Sequence, residues 1–159
     1  VLPAVPQQHA AIANAVTQRG LQNRIQVLQG QSHRALAAAD STLIASGTAT
    51  LEAMLFECPM VIAYAMNPLS FWLTQRKRLQ PWVGLPNILA ERFVVPEFLQ
   101  NDCTPERMAP AVLAQLNQAV NRDTAHGALL QIFKAINATL RQPTAALATE
   151  AIARRLQWT

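Results

Sequence analysis

Apolar and polar positions change period along the chain in a regular way. Val1 to Pro6 reads as the tail of a strand running into a proline-marked turn. From Gln7 to Arg19 the apolar residues Ala11, Ile12, Ala15 and Val16 recur at one-face spacing, which predicts a helix stopped by Gly20. Arg24 to Leu28 alternates as a strand does, and Gly30 ends it. Ser32 is placed to cap a short helix over Arg34–Ala39. Leu43-Ile44-Ala45 is a short, wholly apolar run of the kind found in a parallel strand buried on both faces. Ser46-Gly47-Thr48 turns the chain into a helix over Ala49–Glu57, which Cys58-Pro59 breaks before a further strand, Met60–Tyr64. Alternation of strand and helix with short connections predicts βαβ units around a parallel sheet.

Beyond Pro68 the pattern turns helical. A helix is predicted over Leu69–Leu79, with Phe71 and Trp72 at adjacent positions. The central proline of Leu85-Pro86-Asn87-Ile88-Leu89 predicts a loop or edge segment. Thr104-Pro105-Glu106-Arg107 opens the first of three helices, over Pro105–Val120, Thr124–Leu140 and Thr144–Leu156. The division expected is an α/β part over residues 1–103 and a helical extension packed on it over 104–159.

Composition narrows the class. The chain has 159 residues, 51% hydrophobic and 14% charged, which excludes intrinsic disorder and suits a single folding unit. No apolar run reaches the roughly 18 residues of a membrane helix. Cys58 and Cys103 have no metal-ligand spacing and read as free thiols of a reducing compartment, so a cytoplasmic location is expected. The net charge of +4 comes mostly from arginine, and Arg76-Lys77-Arg78 is the dense basic cluster. Without interleaved exposed aromatics it does not suit nucleic acid. With Phe71, Trp72 and Trp82 it suits peripheral contact with an anionic membrane, and a solvated helix face suits it equally.

Candidate chemistry lies at the carboxyl end of the apolar run 43–45, where open α/β sheets bind ligands. Gly47, Thr48 and Ala49 open a helix whose free N–H groups and dipole can hold a phosphate, with Ser46 and Thr48 adding hydroxyls. Glu52, one turn on, is placed to accept hydrogen bonds from the vicinal hydroxyls of a ribose. A plain strand-to-helix turn with a dipole-complementing glutamate accounts for the same residues. The segment is neither a Walker loop nor the three-glycine dinucleotide fingerprint. His33 is the histidine closest to this segment.

The run Ala45-Ser46-Gly47-Thr48-Ala49-Thr50-Leu51-Glu52-Ala53-Met54-Leu55, with Cys58-Pro59-Met60-Val61, resembles the lipid-A-disaccharide synthase family. So do Met66-Asn67-Pro68-Leu69-Ser70-Phe71-Trp72-Leu73, Leu85-Pro86-Asn87-Ile88-Leu89-Ala90 and Val94-Val95-Pro96-Glu97-Phe98-Leu99-Gln100. The resemblance implies the C-terminal half of a GT-B glycosyltransferase, Rossmann-like, with a parallel sheet flanked by helices and an all-helical tail. It implies a UDP-2,3-diacylglucosamine donor, a 2,3-diacylglucosamine 1-phosphate acceptor, inversion at the anomeric carbon, and no metal or cofactor. Ser46, Gly47 and Thr48 are then expected against the diphosphate, Glu52 on the ribose, and Asn87 facing the cleft. Where the family carries a basic residue after its tyrosine, this chain has Ala65, and it reads Ala90-Glu91-Arg92 where Ala-Gly-Arg is usual. The family's Leu-Pro-Gly-Ser-Arg loop, acceptor domain and catalytic aspartate are not in this sequence. A non-catalytic piece is therefore expected, completed by the N-terminal half or a second subunit at the inner face of the inner membrane. The alternative is an interaction or dimerisation module built on 69–79 and the C-terminal helices.

Overall fold

The computed structural model describes residues 1–76 and 80–156. Lys77 and Arg78 of the basic cluster, and the end of the helix expected over Leu69–Leu79, lie outside the described residues.

The chain runs β1 (Leu2–Ala4), α1 (Pro6–Gln18), β2 (Val27–Gln29), α2 (Ser32–Ala37), β3 (Thr42–Ala45), α3 (Thr48–Leu55) and β4 (Met60–Tyr64). It continues as α4 (Pro68–Arg76), α5 (Leu85–Ala90), β5 (Glu97–Leu99), a 3-10 turn at Gln100–Asp102, α6 (Pro105–Asn121), α7 (Thr124–Leu140) and α8 (Thr144–Leu156). Among the described residues strand pairing is parallel throughout, in two separate sheets ordered β1-β2 and β3-β4-β5. Parallel sheets flanked by helices make this the α/β, Rossmann-like architecture that the alternation predicts.

Each boundary has a local cause. Gly20 follows α1 with φ +66°, the left-handed conformation that releases a helix end. α2 starts earlier than expected. Gln31, at φ 59°, holds the N-cap position, so Ser32 is the first helical residue and not the cap. Pro105 opens α6 from the first turn, where its missing N–H costs nothing. The Asp123 carboxylate caps α7 by accepting the His126 backbone N–H at 2.8 Å.

The segment Leu85–Leu89 is helical, not a loop or edge strand. Pro86 sits in the first turn of α5, a position that tolerates proline, so its presence carries no argument against a helix.

The core joins Ala53 and Met54 of α3, Met60 and Ile62 of β4, and Val95 to Leu129, Phe133 and Ile136 of α7. The last three recur at i, i+4 and i+7, the stripe of a helix laid on a sheet. β4 is buried, as a central strand is, but β3 is not: Leu43 is 50% exposed despite its apolar run. Among the described residues no helix is long and apolar enough to cross a membrane.

Candidate functional site

The turn between β3 and α3 has the conformation its glycine permits. Gly47 is the N-cap of α3 at φ 133° and ψ −165°, a region nearly closed to residues with a Cβ. Thr50, fully buried, donates its hydroxyl to the Gly47 carbonyl at 2.7 Å, and its N–H reaches the same oxygen at 3.1 Å. No side chain caps the helix. The N–H groups of Thr48 and Ala49, in the first turn, have no intrahelical acceptor. They point a donor pair and the positive end of the dipole out of the carboxyl edge of the sheet.

Ser46 is tied down from the side. Its hydroxyl donates to the Val83 carbonyl at 3.3 Å, linking the turn to the segment that leads into α5. Ser46, Gly47 and Thr48 thus lie together as the sequence places them. Glu52, one turn into α3, lines a cleft of about 770 Å³ with Ala45, Ala49 and Ser32. Its carboxylate lies 3.3 Å from His33 Nε2, and the His33 ring stacks at a tilt on Phe56, with centroids 5.4 Å apart. His33 therefore spans one turn of α3, and both ionisable groups are open to solvent.

Asn87 differs from expectation. It is fully buried and does not face a cleft. Its Oδ1 accepts the N–H groups of Val94 and Val95 at 2.7 and 2.9 Å. Its Nδ2 donates to the Val95 carbonyl at 2.9 Å and to Glu97 Oε1 at 2.8 Å. All four bonding positions of the amide are thereby filled. Glu97 completes the cluster by accepting the N–H groups of Val83 and Gly84 at 3.0 and 2.8 Å, at the head of α5. Asn87 and Glu97 hold the segment whose Val83 carbonyl anchors Ser46. They position the turn, Asn87 from full burial and Glu97 from half-burial.

Glu97 enters the sequence pattern only within the motif Val94–Gln100. An acidic residue between Val94-Val95-Pro96 and Phe98-Leu99 is the available signal, because a lone carboxylate in an apolar run calls for hydrogen-bond partners. Gln100 does similar work beside it. Its amide accepts the Met66 N–H at 2.6 Å and donates to the Met66 carbonyl at 3.0 Å, fastening the end of β4 to the end of β5.

Of the thiols, Cys58 is buried and bonds weakly to the Ala39 and Pro59 carbonyls, each at 3.5 Å. Burial first, and the Asp40 carboxylate second, push it up to about 11. Among the described residues no three His, Cys, Asp or Glu side chains gather as a metal site would.

Comparison with known proteins adds to this geometry. The lipid-A-disaccharide synthetase family profile matches residues 1–151. Lipid-A-disaccharide synthase of Albidiferax ferrireducens is 50% identical over 157 residues, 99% of this chain and 40% of the relative. The synthase of Verminephrobacter eiseniae is 47% identical over 152 residues, 96% of this chain and 39% of its own length. That of Thiobacillus denitrificans is 48% identical over 158 residues, 99% of this chain and 41% of its own. The chain thus spans about 40% of the length of the curated relatives it matches. A profile match over residues 1–151, with relatives about half identical over nearly the whole chain, shows that the chain belongs to the lipid-A-disaccharide synthase family.

Proposed function

We propose that this chain is the donor-binding part of a lipid-A-disaccharide synthase. Such an enzyme transfers 2,3-diacylglucosamine from its UDP derivative to 2,3-diacylglucosamine 1-phosphate in lipid A biosynthesis. The donor's diphosphate sits at Ser46, Gly47 and Thr48, and its ribose hydroxyls bond to Glu52. One observation carries the reading: two uncommitted N–H groups at the head of α3 stand one helical turn from a carboxylate on the cleft wall.

The chemistry follows from that spacing. An acceptor hydroxyl attacks the anomeric carbon from the face opposite UDP, the bond to the diphosphate oxygen breaks, and negative charge grows on the leaving group. Fixed N–H dipoles aimed at that charge stabilise it as it forms. No residue of the turn is placed as a general base, and a base within hydrogen-bond reach is what the attacking hydroxyl requires. The chain alone is therefore expected to bind the donor and not turn it over. The acceptor lipid and the groups that activate it belong to the remainder of the enzyme, working at the cytoplasmic face of the inner membrane without a metal.

The interaction-module reading draws on α8, which buries no residue and leaves Leu147, Ile152 and Leu156 exposed. Equilibrium dialysis with labelled UDP separates the two. Saturable binding that unlabelled UDP displaces and AMP does not supports the donor site; no binding leaves the module.

A further inference from the structure

Glu52 meets the cleft with a neighbour already in place. His33 Nε2 stands 3.3 Å from Glu52 Oε2, and the His33 ring lies on Phe56, its plane tilted by 42°. Glu52 belongs to α3 and Phe56 is its C-cap, four residues on, so the two side chains share one face of the helix. A single imidazole, coming from another helix, is held by both.

The backbone that carries His33 is fixed without help from Glu52. Gln31, at φ 59°, turns the chain into α2, and its carbonyl accepts the Ala35 N–H at 2.9 Å. The Gln31 side-chain Oε1 accepts from Arg34 Nη1 at 2.8 Å. Ala35 is buried and Leu36 packs against the core, which anchors α2 from its other residues. Only the side-chain torsions of His33 stay open, and the contact with the Phe56 ring restrains them.

This contact does little for the fold. The His33 side chain is 67% exposed and that of Glu52 42%, and pairs so exposed add little to stability. Orientation is where it counts. An unpaired glutamate on a cleft wall samples many carboxylate directions, and a ligand that needs one of them has to freeze the rest. A carboxylate offers about four lone-pair sites, two on each oxygen, and accepts only. The hydrogen between the two groups therefore belongs to His33 Nε2, and it takes one site on Oε2. About three sites remain, with both of those on Oε1 among them. A vicinal diol asks for two acceptors, one on each oxygen, so it fits what His33 leaves. The separation of 3.3 Å is long, as in unliganded sites whose hydrogen bonds tighten on binding.

We propose that His33 is the positioning residue for Glu52. It presets the carboxylate for the ribose diol of a ribonucleoside diphosphate, so that the site discriminates against a nucleotide without those hydroxyls. This role rests on the donor assignment at Gly47 and Glu52 and deepens it, because it names what selects the sugar. His33 itself makes no bond to the nucleotide.

Calorimetric titration of the full chain with UDP and with 2′,3′-dideoxy-UDP tests the role, since the two ligands differ only in the ribose hydroxyls. Wild type should bind UDP about tenfold more tightly than the dideoxy compound. His33→Ala should lower UDP affinity about fivefold and leave dideoxy affinity unchanged. It should melt as wild type does, because the side chain is mostly exposed. His33→Gln sets an amide N–H donor at about the reach of the imidazole Nε2 and should recover about half or more of the lost discrimination. In a Glu52→Gln background His33→Ala should change nothing further, so the two effects do not add. Discrimination retained by His33→Ala, an equal loss of affinity for both nucleotides, a glutamine variant no better than alanine, or additive effects of the two positions would each overturn the role of His33 and leave the donor site standing. No UDP binding by wild type, or equal binding of the two nucleotides by wild type, would instead overturn the donor assignment and the role with it.

Discussion

Asn87 and Glu97 meet through a 2.8 Å hydrogen bond from the asparagine amide to the glutamate carboxylate, ten residues apart in sequence and joined across the start of α5 and the start of β5. Between them they take the N–H groups of Val83, Gly84, Val94 and Val95. Asn87→Ala would leave the N–H groups of Val94 and Val95 without their acceptor, and the Val95 carbonyl and Glu97 Oε1 without one donor, and is expected to destabilise the chain by about 3 kcal/mol. Asn87→Asp should be worse than alanine, since it sets a second carboxylate against Glu97 and against the Val95 carbonyl. Urea unfolding of the three proteins checks the order, and an aspartate variant as stable as wild type would contradict it.

Gly84 is required for space, not for backbone freedom. Its φ is −76°, but a Cβ there would lie 2.2 Å from Ile62 Cδ1. Gly84→Ala should cost about 1–3 kcal/mol by overpacking the core. Ile62→Val removes the clashing carbon, so the double variant should recover much of that loss and be more stable than additivity allows. Thermal melts of the four-member cycle measure the coupling; a coupling near zero would show that the glycine is needed for another reason.

Gly47 presents the opposite case. At φ 133° a Cβ would meet nothing within 4 Å, so Gly47→Ala carries only backbone strain, about 1–3 kcal/mol. Relief of that strain should rotate the head of α3 and weaken UDP binding more than it lowers the melting temperature of the rest of the fold. Calorimetric titration beside a melt separates these effects. Unchanged affinity would remove the turn from the donor site.

These glycines show what the sequence made readable and what it hid. The turn 46–48 was legible as a turn because small residues there separate an apolar run from a stretch of helical spacing. The helices from Pro105 onward were legible because their apolar stripes are long and a proline stands in the first turn of α6. α5 and β5 were hidden: proline in Leu85-Pro86-Asn87 reads as a breaker unless its first-turn position is known, and Glu97–Leu99 is too short to show a period. Asn87 was expected at the cleft from the resemblance alone, and no local pattern marks it as enclosed. Only the tertiary path of Val94–Glu97 reveals that it is enclosed.

Cys58 links the core to pH. Its thiol, with an ordinary value of 9.0, is pushed up to about 11 in the folded chain by burial and by Asp40. Between those values the unfolded chain has released the proton and the folded chain keeps it, so stability falls as pH rises through this window. Below it the contribution is intact. The expected loss is about 2 kcal/mol by the top of the window, and Cys58→Ser should lack that part of the slope. Pulsed iodoacetamide should label the partly exposed Cys103 in the folded state and Cys58 only after unfolding. Fast labelling of Cys58 in the native chain would contradict its enclosure.

The donor assignment is tested most directly by titrating UDP into the isotope-labelled chain and following backbone amides, with Glu52→Gln alongside. Glu52 is half-exposed and its pairing with His33 lies at the surface, so the variant should fold as wild type does. The expected result is a saturable set of shifts centred on residues 45–53, with affinity reduced about tenfold in the glutamine variant, as for one charged hydrogen bond lost. No shifts at millimolar UDP, or shifts elsewhere that Glu52→Gln leaves unaltered, would contradict it.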